Sequence, residues 1–526
     1  MLIKTQEKAP AYADIVYPVM DFSGGLNTKS TQLFLSRQAR FALRPNQGVL
    51  LDNWLRTTSG GLITRPAVVK LNSAAISPPA GDAEIRSITE LRTESGTDQV
   101  VVTAGNSLYR WNGSTFVSIG TTITANRRFH WTQFRDVLVG VNGIDAPVAW
   151  DGTTLSTLSG TFLTNTGTAI IQHRGRLWIV DGQTLRYSAE NAYTDWSTTN
   201  NAGTLRIPTK RGQGGTGIMS FWDRLIIWTN GEIFQLFGTS PQTFNLAAIN
   251  FRYGNEGSPY ACVAAGNEVY FPTKRGLHAL SVSFAQSDMG DVKPDYASGN
   301  IEPSWQDITP ANFTNIVAVD ATRFNSVIYL CNQNGTLNNQ AFVGDYYHRD
   351  ETQAPTWTRW TNMDFSSVAE VRSLNTIPEV LLGGYDGFVY RLTNDNEVDD
   401  TTSSTRNIPV QLQYLTDLEQ PGFEKLFRHL VVFTQSPVGN MLLNSSFDFG
   451  ARVLAQSFAM SQTIGDKIGT TFEIGVSALG TILFTQNRIS IPGGGRFLNL
   501  IFSASVARRI TFGGFIVYAG LRRVLR

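Results

Sequence analysis

The sequence predicts a mainly β protein built on a β-propeller, and two observations carry that prediction. The first is a unit of strand, Asn-Gly or Asp-Gly turn and second strand, recurring between Ser107 and Leu392. It is written as Leu108-Tyr-Arg-Trp-Asn-Gly113, Val148-Ala-Trp-Asp-Gly152, Leu177-Trp-Ile-Val-Asp-Gly182, Leu225-Ile-Ile-Trp-Thr-Asn-Gly231, Val327-Ile-Tyr-Leu-Cys-Asn-Gln-Asn-Gly335 and Leu381-Leu-Gly-Gly-Tyr-Asp-Gly387. Such dipeptides tolerate positive φ at both central turn positions, which makes them a strong hairpin signal between apolar runs. The second observation is composition: only 16% of the 526 residues are charged, while 31 Phe, 16 Tyr and 11 Trp accompany 48 Gly. A helix-rich chain of this length would carry more Glu, Lys and Ala on its solvent faces.

Taken in order, residues 1–80 stand outside the repeat and read as an extended arm or strap. They hold a glycine turn, Phe22-Ser-Gly-Gly-Leu-Asn-Thr28, and end in the linker Ser77-Pro-Pro-Ala-Gly81. Residues 81–395 carry the hairpins. One hairpin cannot bury its own apolar face, and radial stacking of four-stranded blades solves this while protecting sheet edges. A spacing of roughly 30–55 residues suits blades better than solenoid rungs and gives six to eight of them, about seven fitting best. In each, a strand such as Arg176–Val180 is expected inside and one such as Thr184–Ser188 outside. Residues 396–406 form an acidic linker, with Asp395-Asn-Glu-Val-Asp-Asp400 expected as a solvated loop rather than a calcium site. Residues 407–526 alternate in short runs, including Val410–Tyr414, Phe472–Val476 and Phe515–Tyr518, and predict a β-sandwich.

The chemistry-bearing residues form no recognisable set. Lys and Arg number 43 against 42 Asp and Glu, so there is no basic excess of the kind that grips phosphates. The five histidines, at 130, 173, 278, 348 and 429, are scattered, and no metal or cofactor is expected. Cys262 and Cys331 sit in apolar strands and read as buried free thiols. Gly212-Gln-Gly-Gly-Thr-Gly217 lacks the Lys and Ser/Thr of a phosphate loop, and Tyr346-Tyr-His-Arg-Asp350 reads as a strand-end cluster. The amino terminus lacks a secretory apolar core, and no run is long enough to span a membrane. Arginines gather at the carboxyl end, where Arg522, Arg523 and Arg526 are candidates for contact with a neighbour or with DNA.

Three regions carry a family resemblance. Phe22-Ser-Gly-Gly-Leu-Asn-Thr28, then Asp52-Asn-Trp54, then Gly60-Gly-Leu-Ile-Thr-Arg-Pro66 resembles the opening of many bacteriophage tail and connector proteins. Arg176–Ser188 followed by Asn191-Ala-Tyr-Thr-Asp-Trp196 is similar to their central hairpin, and Phe423–Leu430 with Gly493–Leu500 to their closing sandwich. The chain departs from the pattern at Arg65-Pro-Ala67, where the usual Gly after Pro is Ala. The resemblance implies a non-enzymatic structural protein, the nozzle or hub of a short phage tail. Such a protein is made in the bacterial cytoplasm and incorporated into the virion. It forms a ring, commonly of six copies, below the portal and adaptor, retains packaged double-stranded DNA and conducts it during ejection. The competing readings are a propeller that binds a host-surface glycan, which needs aromatics clustered in a cleft, and a glycoside-cleaving propeller with a carboxylate pair.

Overall fold

The computed structural model describes residues 14–29, 43–96, 98–121, 123–281, 295–333, 335–349, 354–400, 405–420, 423–436, 438–448, 453–460 and 484–522. Antiparallel strands dominate them, and between residues 85 and 393 these group into consecutive four-stranded sheets. The first consists of Ile85–Leu91, Gln99–Ala104, Ser107–Trp111 and Phe116–Gly120, paired in chain order. Five more follow over residues 130–157, 169–206, 215–250, 263–296 and 317–361. The seventh takes three strands from residues 365–393 and its outer strand from Ala67–Lys70, which pairs with Val389–Thr393.

Apolar side chains explain why these sheets stack. Hydrophobic clusters lie between successive sheets, and the one between the fifth and sixth is continuous with the core formed beyond residue 405. Leu91, Val101, Leu138 and Trp150 join the first and second, and Val139, Ala149, Ile170 and Ile179 the second and third. Val371 and Leu381 of the seventh sheet meet Ile88 and Val100 of the first, so the series returns on itself. The leading strands follow the same path, with Phe365–Val371 lying against Ile85–Leu91. Burying both faces of every sheet in this circular order is the β-propeller arrangement.

The turns differ from expectation in an instructive way. At Asn112-Gly113 and Asp151-Gly152 only the glycine has positive φ, 100° and 94°. The preceding Asn or Asp instead accepts hydrogen bonds through Oδ1 from the two N–H groups beyond the glycine. These are Asx turns, in which the side chain replaces a backbone partner. Turns with two consecutive positive φ values occur at Arg174-Gly175 (47° and 69°) and Trp222-Asp223 (47° and 59°). The dipeptides also sit at different places: Asp181-Gly182 joins second and third strands, Asn112-Gly113 third and fourth. That variation produces the irregular spacing. Arg176–Asp181 and Thr184–Tyr187 are accordingly the two middle strands of their sheet, and Ala169–His173 is the one against the neighbouring sheets.

Beyond residue 405 two sheets face each other. One holds Thr485–Gly495, Glu424–Gln435, Thr511–Arg522, Leu62–Thr64 and Trp54–Arg56, with Asp14–Val19 alongside Thr511–Arg522. The other holds Leu50–Asp52, Thr405–Thr416, Leu498–Val506, Asn440–Phe447 and Val453–Ala459. Leu412, Leu443 and Phe502 from one and Leu430, Phe515 and Val517 from the other share a single core. Leu50–Asp52 also pairs with Pro355–Thr361, which makes the second sheet continuous with the sixth propeller sheet. Residues 14–70 are therefore distributed through both bodies. Phe472–Val476, expected as a strand, lies outside the described residues.

Candidate functional site

Two of the stretches that carry the family resemblance, Asp52-Asn-Trp54 and the Arg65 end of Gly60–Pro66, meet at one place. Arg359 of the sixth propeller sheet grips Asp52 with two hydrogen bonds of 2.7 Å, a bidentate pair of the kind planar guanidinium groups make. Asn53, fully buried at φ 60°, donates to the Pro409 carbonyl and the Thr361 hydroxyl, 2.7 Å each. Trp54 donates its indole N–H to the Gln411 carbonyl, and Trp360 donates to the carbonyl of Trp54. Arg65, 1% exposed, reaches Asn53 Oδ1 through Nε and both carboxylate oxygens of Asp399 through its terminal nitrogens. Asp399 Oδ1 also accepts the N–H of Val68, at the start of the closing strand. This corrects the expected solvated linker. Val398–Asp400 pairs with Thr405–Thr416, Asp399 is 1% exposed, and Glu397 pairs with Arg508 at 2.6 Å. Asp399 and Glu397 thus each face a cation.

A second constellation lies on the propeller axis. Arg128, just before the second sheet, donates to the Ser366 carbonyl of the seventh at 2.8 Å. Tyr260, just before the fifth sheet, donates its hydroxyl proton to the Arg128 carbonyl at 3.0 Å, and its ring lies 5.2 Å from the guanidinium carbon. Sheets two and five are not neighbours in the circle, so this contact crosses its middle. Burial lowers the pKa of Arg128 and raises that of Tyr260. Burial likewise raises Glu84, against the pull of Arg86 and Arg128, and moves Tyr385 up to about 12. His130, with its ring 5.7 Å from that of Tyr260, accepts the Ile170 N–H and is pulled down to about 4 by burial. Glu84, Arg128 and Tyr260 each precede the first strand of a sheet. The available signal was thus a polar or aromatic residue at one recurring position, visible only once the strand starts are known.

The remaining residues singled out in sequence fall as follows. Arg522 ends the last strand of the sandwich, mostly exposed and 3.7 Å from Glu424; Arg523 and Arg526 lie outside the described residues. An exposed pair of this kind contributes little. Arg522→Glu is expected to change unfolding free energy by less than about 1 kcal/mol, measurable by chemical denaturation. Tyr346 donates to Asp320, His348 pairs with Asp345 and Arg349 with Glu268, which makes that stretch an internally paired cluster; Asp350 is outside the described residues. Cys262 and Cys331 are buried and free. Among the described residues no group of three His, Cys, Asp or Glu side chains is placed to hold a metal, and no helix is long and apolar enough to cross a membrane.

No family model and no curated protein matches the chain. Among solved structures, the chain is similar to PorZ, a surface component of the type-IX secretion system of Porphyromonas gingivalis. The identity is 11% and the TM-score 0.38, covering 60% of this chain and 38% of that one. It is also similar to YCF48 from Cyanidioschyzon merolae, at 9% identity and a TM-score of 0.36 over 61% of this chain and 99% of that one. BBS1N in complex with ARL6DN gives 10%, 0.41, 65% and 98%. Likenesses this distant say nothing of function, and the fold assignment rests on the strand pairing and packing above.

Proposed function

We propose that the chain is a structural subunit of a ring in a short bacteriophage tail, a nozzle or hub below the portal and adaptor. In this reading its propeller has seven blades, its ring has six copies, and packaged DNA is retained and later conducted along the ring's lumen. One observation supports the reading above the others. Two of the stretches that resemble tail proteins, Asp52-Asn-Trp54 and Arg65-Pro66, are buried where propeller, amino-terminal segment and sandwich meet. They weld two β bodies into one stiff unit, which suits a wall that must hold its shape under load. The contact of Arg128 with Tyr260 and Ser366 crosses the propeller axis. The conduit is accordingly assigned to the space enclosed by several copies, not to the middle of one propeller.

Purified protein is expected to form a closed oligomer with a central opening, seen by native mass spectrometry and electron microscopy, and to occur in virions at a ring's stoichiometry. A strict monomer at all concentrations that is also absent from virions would overturn the proposal.

A further inference from the structure

We propose that the cavity between the sandwich and the sixth propeller sheet binds a neutral saccharide. The site does not depend on assembly into a ring. The cavity measures about 460 Å³ and lies where the sheet of Leu50–Asp52 and Thr405–Thr416 passes into Pro355–Thr361. Strand register sets its floor. Ser457, Leu442, Ser503, Gln411 and Asp52 stand opposite one another on five successive strands, so their side chains share one face. At the usual strand spacing this row runs for roughly 19 Å. Asn440, Ser505 and Pro409 sit two residues further along their strands and form a second row, which Thr361 of the propeller sheet continues. The volume falls within the range of about 300–1,000 Å³ found for small-molecule sites, which favour junctions between domains.

Two features of the lining select the ligand's chemistry. The first is unspent hydrogen-bonding capacity. Among the described residues the side chains of Gln411, Asn440, Ser457, Ser503 and Ser505 have no hydrogen-bond partner, and all five line the cavity. Each is a primary amide or a hydroxyl, able both to donate and to accept. Ligand hydroxyls do the same, so either side of each contact can take either role. The second feature is charge. Asp52 is the one ionisable residue in the lining, and Arg359 already holds both its oxygens at 2.7 Å. A charged ligand thus finds no unpaired counter-charge to offset its lost hydration. The Asp52 oxygens keep lone-pair capacity beyond that ion pair, enough for two adjacent hydroxyls at the propeller end. Leu442, 40% exposed, and Pro409 supply apolar walls for the C–H face of a sugar ring. A peptide is less well served. It binds a sheet best by adding to an edge, and the three middle strands under the cavity are already paired on both sides. The occupant is a free sugar or one unit of a longer sugar chain, since both present the same hydroxyls.

Ser503→Cys places a thiol in the cavity that iodoacetamide can reach, whereas Cys262 and Cys331 are buried. The probes are the methyl glycosides of glucose, galactose, mannose and N-acetylglucosamine and the linear tetrasaccharides of the same sugars. At least one is expected to slow alkylation saturably while leaving Ser118→Cys, on the outer strand of the first sheet, unaffected. A tetrasaccharide effective at least tenfold below its methyl glycoside would assign the site to a sugar chain; equal potency would assign it to a single sugar. Adding Gln411→Ala is expected to weaken the protection at least tenfold. Saturation-transfer NMR of the same probes with the wild-type protein gives a readout that no variant's folding affects. Transfer to the protecting sugar supports the site, and transfer to none of the panel overturns it. A folded Ser503→Cys protein that no probe protects, equal slowing at Ser118→Cys, or protection unchanged by Gln411→Ala also overturns it. So does protection by a neutral Gly-Ser peptide with none by any saccharide, or by methyl glucuronide more strongly than by every neutral glycoside.

Discussion

Asp399→Ala is expected to lower the unfolding free energy by about 3–5 kcal/mol, the usual cost of stranding one member of a buried ion pair. Two losses combine in that substitution. Arg65 keeps a full charge at 1% exposure with only Asn53 and the Pro66 carbonyl left to face it. The N–H of Val68 loses its acceptor, and the strand it belongs to is the outer edge of the seventh sheet. A pair of apolar residues of similar size leaves no stranded charge, although the Val68 N–H still lacks its acceptor, so Arg65→Met with Asp399→Leu is expected to recover the charge penalty but not that hydrogen bond. Guanidinium denaturation of the single and double variants measures both. A single-variant loss under about 1 kcal/mol would mean that Arg65 finds another partner and that the junction is softer than its hydrogen bonds indicate.

Acid is expected to destabilise the protein steeply between pH 6.5 and 4. His130, His173 and His278 are all held down to about 4, in each case chiefly by burial. His173 and His278 are each 4% exposed; the former shares a 2.8 Å hydrogen bond with Ser220 and the latter lies among the rings of Tyr253, Phe271 and Tyr296. An unfolded histidine takes its proton near pH 6.5, whereas these remain neutral in the folded state until about 4. In that window the unfolded chain binds more protons, so stability is full above pH 6.5 and falls with pH, by at most roughly 3 kcal/mol per histidine. Asp320 works the other way. Burial raises it to about 6 despite the hydrogen bond from Tyr346, so the folded state holds the extra proton between that value and the ordinary carboxylate range. Its contribution rises as pH falls and offsets one histidine of the three. Urea midpoints at pH 7 and 4.5 measure the slope. His278→Phe, which keeps an aromatic ring among the same neighbours, should flatten the net slope by about half, and an unchanged slope would show that His278 does not titrate as described.

How much of this was legible in the sequence depended on the range of the interaction. The repeat units correspond closely to the observed sheets because hairpins are local: a turn, its flanking alternation and its partner strand lie within a few dozen residues. The turn chemistry was half legible. Gly113 and Gly152 needed their glycine, but Trp222 and Arg174 accept left-handed backbone with nothing in their identity to announce it. The role of Asp399 was misjudged because five polar residues in six, Asp395 to Asp400, read as solvent-facing until a buried arginine from residue 65 arrives beside Asp399. Arg128 and Tyr260 illustrate the limit. Neither has a neighbour in sequence that hints at the other, and only closure of the circle places them 5.2 Å apart.

The seventh sheet also has a consequence in time. Lys70 pairs with Tyr390 and Ala67 with Thr393, so the strand that completes the circle is synthesised well before its partner. At a ribosomal pace of roughly 5–20 residues per second, Val68 waits about 15–60 s with an unpaired edge before Leu392 exists. The early sheets can form hairpins meanwhile, but the circle, and with it the contact of Arg128 with Tyr260 and Ser366, cannot close until that late arrival. The nascent chain must therefore keep Ala67–Lys70 from pairing with another copy's edge throughout that interval. Refolding from denaturant, where both strands are present from the start, faces a different order of events from birth on the ribosome.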